Sequence, residues 1–498
     1  MEYLIGIDIG TTNIKAILFD ETGRQISAAQ EKSPLQLLKN NGGIFDAEKV
    51  WNICAGLLKD LLDKCAFCCK GDVASKVAGL AVSGMGEAGV PMDAEGNSLY
   101  PVIAWFDTRT ESYPSWWDET FGEKRLFEIT NLKSQHIFTV NKLLWLKEHE
   151  KECFSKIKRW DCMPDYIAYR LTGRSVMDYT IATRTMMLDV HKKCWSEEIL
   201  NHCGISKDIL PELVPSGSLI GHITKEAFHK CGLLPGTPVY AGGHDHICGA
   251  LAAGVISPHV LLDSSGTCEE VLVSMDSIAA TEMLSRKGFN AGFHVAQGRT
   301  YISGGIPASG ASVDWFLREF PCPDTASAHV VPSIDGPLFL PHLRGGSSPQ
   351  RGKSSMGAFV GLRAQHHWSD LMQAVYEGVA FELKLSAEQL LGTTPPSRMI
   401  TIGGGSKNDI WLQIKADVMN TVIEVPEVQE STALGAALLA GIGVGIYRDA
   451  DDAVAKTFRV GKRILPCAET QKIYQKKWPI YRRLYTALHE VNEMIDAQ

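Results

Sequence analysis

The chain has 498 residues, of which 45% are apolar and 46 are glycine, and its formal net charge is -8 at pH 7. This length is enough for a full hydrophobic core and for more than one domain, and we expect two. The negative charge argues against nucleic acid as a partner, because nucleic-acid binding needs a basic patch. No apolar run is long enough to cross a bilayer, and the first residues, Met1-Glu2-Tyr3-Leu4, carry no secretory signal. We therefore expect no membrane partner and a cytoplasmic location.

Thirteen cysteines raise the question of a zinc site or of disulfides. Their densest group, Cys65 to Cys69, stands at the end of an amphipathic run that begins at Ala47 and is typical of a helix. No second Cys or His pair follows at the spacing of a zinc site. We therefore expect reduced thiols in structural or exposed positions.

Taken in order along the chain, the pattern of apolar residues predicts an α/β protein that opens with a β-meander. The predicted strands cover residues 5–10, 14–20, 25–30, 77–83 and 238–243. The predicted helices begin near residue 46 and cover residues 142–150, 165–172, 196–202, 247–254, 408–420 and 432–441. A boundary near residue 254 divides the chain into two domains, 1–253 and 254–498, and the Pro-, Gly- and Ser-rich stretch 345–352 is predicted to be a mobile loop.

One short pattern occurs twice, close to the start of the chain and just past its midpoint. Asp8-Ile9-Gly10-Thr11-Thr12 and Asp263-Ser264-Ser265-Gly266-Thr267 each follow an apolar, strand-like run. A tight turn of this composition can direct backbone N–H groups and hydroxyls at an anion. One copy alone is typical of many hairpin turns, but two copies predict a duplicated fold whose turns hold one polyphosphate between them.

A carboxylate suited to catalysis follows the strand that ends near residue 243. Asp245 precedes a helix rich in small residues, where a carboxylate can face a cleft and accept a proton from a substrate hydroxyl. The alternative is that Asp245 only caps the helix that begins at Ile247. The flanking His244 and His246 are predicted to have structural or substrate-contacting roles, because alternate residues face the same side only in a strand.

A run of three glycines, Gly403 to Gly405, precedes the helix predicted over 408–420. Glycines allow the backbone to approach a nucleotide closely, where any side chain would obstruct it. The alternative is an ordinary flexible turn.

Two longer motifs, together with these features, resemble the FGGY family of carbohydrate kinases over nearly the whole chain. One family signature is largely present at 139–149, although Ile137 departs from it, and the other is matched at 357–362 with its continuation at 370–377. A second departure is Gly346-Ser347, where many relatives have Glu-Arg. The resemblance implies an α/β, duplicated actin-like fold of the ribonuclease H type, with two domains around a central cleft. It also implies a xylulokinase-like enzyme that transfers the γ-phosphate of ATP to a hydroxyl of a small ketose, sugar or polyol.

The resemblance implies roles for residues in both copies of the repeat. Asp245 is then the catalytic base, and Asp8 and Asp245 hold Mg²⁺, a hard cation that suits carboxylate and phosphate oxygens. Lys15 lies where some relatives have a basic residue near the transferred phosphate, and the alternative is a solvated surface lysine. Residues 1–253 are expected to bind the sugar and to carry the base, and residues 254–498 to bind the nucleotide. The residues predicted to contact ATP are Gly10, Thr11, Thr12, Lys15, Gly266, Thr267, Gly403, Gly404, Gly405 and Asn408.

The acceptor side departs from the family pattern. Where relatives have Met-His or Arg-Glu after the strand that ends near Ser83, this chain has Gly86-Glu87. A carboxylate at Glu87 favours a neutral polyhydroxy acceptor over an acid such as gluconate, and the alternative is a structural Glu87 paired with Arg109 or another basic group. Trp105 is predicted either to lie against the carbon face of the acceptor or to pack in the core. The residues predicted to contact the acceptor are Gly86, Glu87, Trp105, Asp107, His244, Asp245 and His246.

Two other functions are consistent with the phosphate turns. An actin- or Hsp70-like ATPase would use the nucleotide to change the conformation of a protein partner, but only the amphipathic segment 469–498 is left to form a partner-binding module. A catalytically silent sugar sensor is disfavoured because Asp8 and Asp245 are both present. The expected partner is therefore a small-molecule sugar or polyol, with a homodimer as the candidate oligomeric state.

Overall fold

The computed structural model of the chain describes residues 2–39, 42–69, 73–278, 288–322, 331–348, 354–392 and 394–497, with the side chains of 66–69 outside this description. In this part of the chain the strands are β1 Tyr3–Ile9, β2 Asn13–Asp20, β3 Gln25–Lys32, β4 Leu35–Leu37, β5 Gly43–Phe45, β6 Val77–Gly84, β7 Gly89–Met92, β8 Val102–Ile103, β9 Arg159–Cys162, β10 Val176–Asp178, β11 Leu188–Asp189, β12 Cys194–Trp195, β13 Glu212–Val214, β14 Leu219–His222, β15 Pro238–His244, β16 Val260–Ser265, β17 Glu269–Met275, β18 Asn290–Phe293, β19 Thr300–Ile306, β20 Leu338–Leu340, β21 Ala358–Val360, β22 Arg398–Ile402, β23 Ile423–Pro426 and β24 Val460–Ile464.

The α-helices of the described residues are α1 Ala47–Cys69, α2 Tyr113–Thr120, α3 Glu123–Thr130, α4 Thr139–His149, α5 Lys151–Lys156, α6 Met163–Thr172, α7 Tyr179–Thr183, α8 Glu197–Cys203, α9 Lys225–Cys231, α10 Asp245–Ala252, α11 Gly310–Glu319, α12 Trp368–Leu391, α13 Asp409–Met419, α14 Ser431–Val444, α15 Ala450–Thr457, α16 Ala468–Tyr481 and α17 Leu484–Asp496. Short 3-10 helices cover Ala74–Lys76, Thr108–Thr110, Lys207–Ile209 and Gly404–Lys407. The mixture of strands and helices confirms the predicted α/β class.

The chain divides into two compact units. The first consists of Met1–Ile256, Gly292–Thr300 and Glu430–Phe458, and the second of Ser257–Ala291, Tyr301–Gln429 and Arg459–Gln498. Helices α14 and α15, which come late in the chain, therefore belong to the first unit. The division into domains 1–253 and 254–498 stays a prediction.

The first unit is built on a six-stranded sheet in the order β14-β15-β6-β1-β2-β3. β1, β2 and β3 pair antiparallel, which confirms the predicted meander. β6 runs parallel to β1, and β15 runs parallel to β6. Apolar side chains of the sheet and of α1, such as Ile5, Ile7 and Leu58, are fully buried in one core. The carboxyl ends of the three parallel strands consequently lie at one edge of the sheet.

The second unit is built on a sheet in which six strands follow the order β19-β17-β16-β22-β23-β24. β16 pairs antiparallel with β17 and parallel with β22, which in turn runs parallel to β23. In the first unit β1 has the same surroundings, with antiparallel β2 on one side and parallel β6 and β15 on the other. The repeated sequence pattern therefore marks a repeated fold, as predicted.

Most of the predicted elements occur within a few residues of their predicted positions, and capping explains several boundaries. The helix predicted to begin at Ile247 begins at Asp245, because His244 already takes the N-cap position. Gly173, with a φ of 77°, ends α6 in the left-handed conformation that glycine adopts readily. The glycine run at 403–405 is an ordered segment, since Gly404–Lys407 forms a 3-10 helix. The loop predicted over 345–352 lies partly outside the described residues.

Two features of composition can be compared with the structure. Among the described residues, no helix has both the length and the apolar composition needed to cross a bilayer. The cysteine side chains that the structure describes are not joined in disulfides, and Cys65 is buried near the end of α1. The side chains of Cys68 and Cys69 lie outside the described residues.

Helix α14 lies very close to β1 and to α10. A Cβ on Gly435 would lie 1.9 Å from the carbonyl oxygen of Cys248, and a Cβ on Gly6 would lie 1.8 Å from the carbonyl oxygen of Ala433. No side chain fits at such distances, because the obstacle is backbone rather than a movable side chain. Glycine at these positions thus allows a helix from late in the chain to pack on the first strand.

We expect Gly435→Ala to destabilise the protein by about 3 kcal/mol or more, because α14 would have to move away from α10. Gly56→Ala in α1 is the matched control, since its Cβ would meet nothing within 4 Å. Alanine is favoured over glycine in a helix by about 0.8–1 kcal/mol. Thermal unfolding should therefore show a large loss for the first variant and a small gain for the second, and equal midpoints would contradict the close approach at Gly435.

A buried carboxylate makes the stability of the first unit depend on pH. Asp161 on β9 is fully buried and accepts a hydrogen bond from the Ser175 hydroxyl at 2.5 Å. Burial raises the pKa of Asp161 to about 7, against weaker opposing effects of Ser175 and Arg159. The folded protein therefore holds a proton that the unfolded chain releases above about pH 4. The free energy of unfolding should fall as the pH rises through this window, from about 4 to about 7.

Asp161→Asn should remove this dependence, because the amide stays neutral and can still accept the hydrogen bond from Ser175. Relative to wild type, the variant should gain stability at high pH by a few kcal/mol, since each pKa unit corresponds to about 1.36 kcal/mol. Urea unfolding across the pH range measures the difference, with Asp60→Asn at an exposed position of α1 as the control. Parallel curves for Asp161→Asn and wild type would contradict the raised pKa.

Candidate active site

The carboxyl ends of three parallel strands bring predicted site residues together in the first unit. Asp8 of β1 pairs in register with Ser83 of β6, and His244 at the end of β15 pairs with Gly84 of β6. The chain that leaves β6 at this edge carries the predicted Gly-Glu pair. Asp245 follows β15 directly, so it shares the edge with Asp8. Ligands of α/β proteins bind at this edge of the sheet.

Asp245 is the first residue of α10, and its carboxylate is held by its neighbours. Its Oδ1 accepts a hydrogen bond from the backbone N–H of His246 at 2.7 Å and lies 2.9 Å from Nδ1 of His244. Burial by itself would raise the pKa of Asp245, but the charges of His244 and His246 outweigh it and lower the pKa. The carboxylate is therefore ionised at neutral pH, as a general base must be. Because His244 takes the N-cap position of α10, Asp245 is not the capping residue of a helix from Ile247.

The two histidines beside Asp245 contact each other as well as its carboxylate. Their rings stack, with centroids 5.6 Å apart and 22° between the ring planes. His246 is exposed, and its Nε2 lies 3.9 Å from Oδ1 of Asp245. Burial would lower the pKa of His244, but the adjacent carboxylate of Asp245 raises it. These contacts support a structural and electrostatic role for both rings.

Asp8 has an environment opposite to that of Asp245. Burial and the negative charge of Asp245 raise the pKa of Asp8 to about 7, with Lys15 as the opposing influence. Lys15 is the partner of Asp8 in the β1–β2 register, and its Nζ lies 2.5 Å from Oε2 of Glu430. Lys15 is therefore a paired, partly buried lysine, and its role near the transferred phosphate stays a prediction. Two carboxylates whose environments separate their pKa values are typical of a catalytic site.

The first phosphate turn, at residues 10–12, joins β1 to β2. The N–H of Gly10 donates to the carbonyl oxygen of Asn13 at 3.0 Å, which closes the turn. The indole Nε1 of Trp105 donates to the hydroxyl of Thr11 at 3.0 Å. Trp105 is 37% exposed, so it lies beside the phosphate turn and not in the core.

Glu87 is buried and paired. Its Oε1 accepts a hydrogen bond from Nε of Arg184 at 2.6 Å and lies 2.5 Å from Nη2 of the same guanidinium in an ion pair. This is the alternative in which Glu87 pairs with a basic group, although the partner is Arg184 and not Arg109. The φ of Glu87 is 61°, in the left-handed region that residues other than glycine rarely adopt. Backbone strain of this kind is concentrated at functional sites.

Gly86 has no side chain to contact an acceptor, and it lies directly against His244 and Arg184. A Cβ at this position would lie 2.8 Å from Cδ2 of His244 and 3.3 Å from Cβ of Arg184. The imidazole of His244 therefore fills the space that a side chain at residue 86 would need. The position of the His244 ring therefore requires glycine at residue 86.

Lys142 of α4 adds a second buried cation to this group. Burial lowers the pKa of its ammonium to about 8, while the negative charges of Glu87 and Asp107 act in the opposite direction. Its Nζ donates to the carbonyl oxygen of Ile137 at 2.5 Å. Lys142 and Arg184 together balance the acidic side chains near the end of β6.

Asp107 anchors its own loop. Its Oδ1 accepts hydrogen bonds from the backbone N–H and Nε of Arg109, at 3.0 and 2.8 Å. Its Oδ2 accepts from the N–H of Gly43 at 2.8 Å and from Nη2 of Arg109 at 3.1 Å. The Arg109 guanidinium in turn lies 4.8 Å from the ring centroid of Trp145. Both oxygens of Asp107 are occupied, so its contact with an acceptor stays a prediction.

The second phosphate turn, at residues 266–267, lies at the carboxyl end of β16 in the second unit. The N–H of Gly266 donates to the carbonyl oxygen of Cys268 at 2.9 Å, which closes the turn as in the first copy. The carbonyl oxygens of Gly266 and Thr267 accept from the N–H groups of Gly310 and Ala311, each at 3.0 Å. The start of α11 therefore holds this turn in place.

The glycine run at 403–405 packs against Ser265, the last residue of β16. A Cβ on its first residue would lie 2.6 Å from the carbonyl oxygen of Ser265, and one on its third residue 2.1 Å from the hydroxyl, whereas Gly404 has open space. Asn408 caps α13 through its Oδ1 and donates from Nδ2 to the hydroxyl of Tyr376 at 3.1 Å. The side chain of Asn408 is thus engaged in the fold, and its contact with adenosine stays a prediction.

Sequence reasoning missed the partners of these charged residues. Lys142 stands within a stretch that carries the family resemblance, but no local signal connects Lys142 or Arg184 with Glu87. A lysine inside the apolar helix α4 was the one available hint of a buried cation. Glu430 is 415 residues from Lys15, and nothing in the sequence pairs them.

The sequence of the chain matches the two domains of a known protein family. Residues 3–252 match the N-terminal domain of the FGGY family of carbohydrate kinases, and residues 262–444 match its C-terminal domain. The chain belongs to this family. The predicted resemblance is thereby confirmed.

Individual relatives support the same assignment. The xylulose kinase of Bacillus subtilis (strain 168) is 31% identical over 500 residues, which cover 99% of this chain and 98% of that protein. The gluconokinase of the same organism is 26% identical over 516 residues, with 100% and 98% covered. The structure of a ligand-bound xylulose kinase from Lactobacillus acidophilus has the same fold, with a TM-score of 0.88 at 24% identity and with 99% of this chain and 100% of that chain covered.

Family membership also confirms the predicted class of function. The protein is an ATP-dependent carbohydrate kinase with an actin-like fold, and its acceptor is a small-molecule sugar. The alternative of an actin- or Hsp70-like ATPase that acts on a protein partner is not favoured. The roles of individual residues stay predictions.

We expect Asp245→Asn to fold and to bind ATP but to lose turnover, because asparagine cannot accept the proton of a substrate hydroxyl. Removal of a general base typically lowers the rate by about 10²- to 10⁴-fold. Steady-state kinetics measures kcat, and calorimetric titration with ADP measures nucleotide binding. Asp118→Asn, at an exposed position of α2, is the matched control and should keep the wild-type kcat. A near-normal kcat for Asp245→Asn would leave Asp245 with a structural role only.

Proposed function

We propose that the acceptor is xylulose or a closely similar ketose. The observation that carries this proposal is the similarity to a xylulose kinase over 99% of the chain, at 31% identity. The charges around the site support a neutral acceptor, because they pair with one another. Glu87 pairs with Arg184, and Lys15 pairs with Glu430. Such a site offers hydrogen bonds to a polyhydroxy molecule without a net charge that would demand a counter-ion.

Asp245 is the general base in this proposal. Its ionised carboxylate accepts the proton of an acceptor hydroxyl as that oxygen attacks the terminal phosphorus of ATP. The new O–P bond forms while the bond from the terminal phosphorus to its bridging oxygen breaks, which releases ADP. His244 and His246 hold the carboxylate and keep it ionised.

The residues near Asp8 fit a hard divalent cation. Asp8 is a half-buried carboxylate with a pKa raised to about 7, and a cation beside it would favour the ionised form. In the described part of the chain, no three His, Cys, Asp or Glu side chains form a complete metal site. Mg²⁺ suits this arrangement, because it takes one or two carboxylates and completes its shell with water and phosphate oxygens. We assign Asp8 and Asp245 to Mg²⁺, which neutralises phosphate charge when it is bound.

We assign the two phosphate turns, the glycine run at 403–405 and Asn408 to ATP. In both turns the glycine N–H is already bound within the turn, so we assign the phosphate contacts to the threonines at 11, 12 and 267. Lys15 balances charge beside Asp8. The division of labour between residues 1–253 for the acceptor and 254–498 for the nucleotide belongs to the same proposal. A cytoplasmic location fits an enzyme that consumes ATP, and a homodimer stays a prediction.

An ADP-release screen of the purified protein against ketoses, polyols and sugar acids tests the choice of acceptor. We expect xylulose to give the highest kcat/KM and gluconate to give little turnover. If gluconate were the best acceptor, the ketose proposal would be wrong while the kinase class would stand. ADP release that responded to a protein partner and to no sugar would contradict both.

We expect Glu87→Gln to lower kcat/KM for the acceptor by roughly 10- to 100-fold, the effect of losing one charged hydrogen bond of about 1.5–3 kcal/mol. The substitution keeps the shape of the side chain and removes the charge that binds Arg184. The KM for ATP should stay unchanged. Glu212→Gln, which weakens an exposed pair with Arg174, is the matched control and should behave like wild type. An equal rise of both KM values would show that Glu87 supports the whole site and not the acceptor in particular.

A further inference from the structure

A completely buried ion cluster lies in the second unit, next to two segments that we assign above to ATP. The ammonium of Lys415 on α13 lies 2.8 Å from Oδ2 of Asp263, 2.9 Å from Oε2 of Glu269 and 3.1 Å from the hydroxyl of Ser265. The side chains of Lys415, Asp263 and Glu269 are at most 1% exposed. We call these four residues the Lys415 cluster.

The cluster holds both ends of the second phosphate turn. Ser265 is the last residue of β16 and Glu269 is the first residue of β17, so residues 266–268 are the connection between them. One ammonium binds a side chain on each side of this connection. The hydroxyl of Ser265 also donates to Oε2 of Glu269 at 3.1 Å, which ties the two strand ends directly.

The same cluster supports the two other segments that surround the turn. Ser309, which precedes α11, donates from its hydroxyl to Oε2 of Glu269 at 2.7 Å. Thr401 near the end of β22 donates to Oδ2 of Asp263 at 3.1 Å, and the glycine run that follows β22 packs on Ser265. The two segments that lie beside the turn therefore contact residues that Lys415 binds.

A purely structural role does not explain why the cluster is charged. Burying ions is costly, and apolar residues of similar volume often stabilise a core as well or better. Burial would lower the pKa of Lys415, but Asp263 and Glu269 outweigh burial and raise it, so the ammonium stays charged. Directional bonds to three partners fix the relative positions of two strands and a turn, which apolar packing does not do.

We propose that Lys415 is a positioning residue for nucleotide binding, whose ammonium sets the geometry of the turn at 266–267 and of the glycine run at 403–405. This inference rests on the proposed function in one respect, that these two segments bind ATP. Lys415 itself contacts neither substrate, and it acts through Ser265 and Glu269.

Lys415→Met tests the inference, because methionine fills similar space without a charge. We expect MgADP binding to weaken and the KM for ATP to rise by about 10- to 100-fold, since a shift of about 1 Å in a binding site has an effect of this size. The KM for the acceptor should stay unchanged. Calorimetric titration with MgADP measures binding without any acceptor, so it also works if the proposed ketose is wrong. A wild-type protein that failed to bind MgADP would overturn the inference.

Two further variants separate positioning from stability. Lys477→Met removes another buried lysine of the second unit, the partner of Glu377, and should lower the melting temperature while MgADP binding stays near wild type. The triple variant Lys415→Met, Asp263→Asn, Glu269→Gln leaves no uncompensated buried charge, so it should regain stability. It should still bind MgADP weakly, because methionine cannot donate to Ser265. If the triple variant regained both stability and affinity, or if Lys477→Met weakened MgADP binding as much as Lys415→Met, the positioning role would be refuted.

Discussion

The parallel pairing of β1, β6 and β15 is the constraint on which the acceptor side of this kinase depends. Parallel strands end at the same edge of a sheet, so residues more than 200 positions apart in the chain meet there without any loop having to reach across. Asp8 and Asp245 owe their proximity to this arrangement. Helix α14 packs closely on the same unit at Gly6 and Gly435. Both positions require glycine, because a Cβ there would collide with a backbone carbonyl.

The environment of each carboxylate decides its chemistry. Asp245 lies beside two imidazoles and is held in the ionised form, whereas Asp8 is half-buried near another negative charge, and its pKa is raised to about 7. The same residue type therefore serves as a base at one position and as a cation ligand at the other in the mechanism that we propose. The difference comes from the charged groups that lie beside each carboxylate.

The duplicated turns at 10–12 and 266–267 follow equivalent strands, but the charged residues near them are paired differently. In the first unit, Asp8 remains part of a site and its strand neighbour Lys15 binds Glu430. In the second unit, the corresponding Asp263 is fully buried and its charge is taken up by Lys415. One copy of the motif thus contains a carboxylate that we assign to Mg²⁺, and the other contains an internal ion pair beside its turn.

The sequence by itself determined the local features of this protein and its family. The repeated Asp-Gly-Thr pattern predicted two phosphate turns, and apolar periodicity predicted most strands and helices, because turn chemistry and periodicity act over a few residues. Only the tertiary structure decided which charges meet. Glu87 and Arg184 are 97 residues apart, and Asp263 and Lys415 are 152 residues apart. Such pairs form through strand order and helix packing, and an isolated charged residue carries no local signal of its partner.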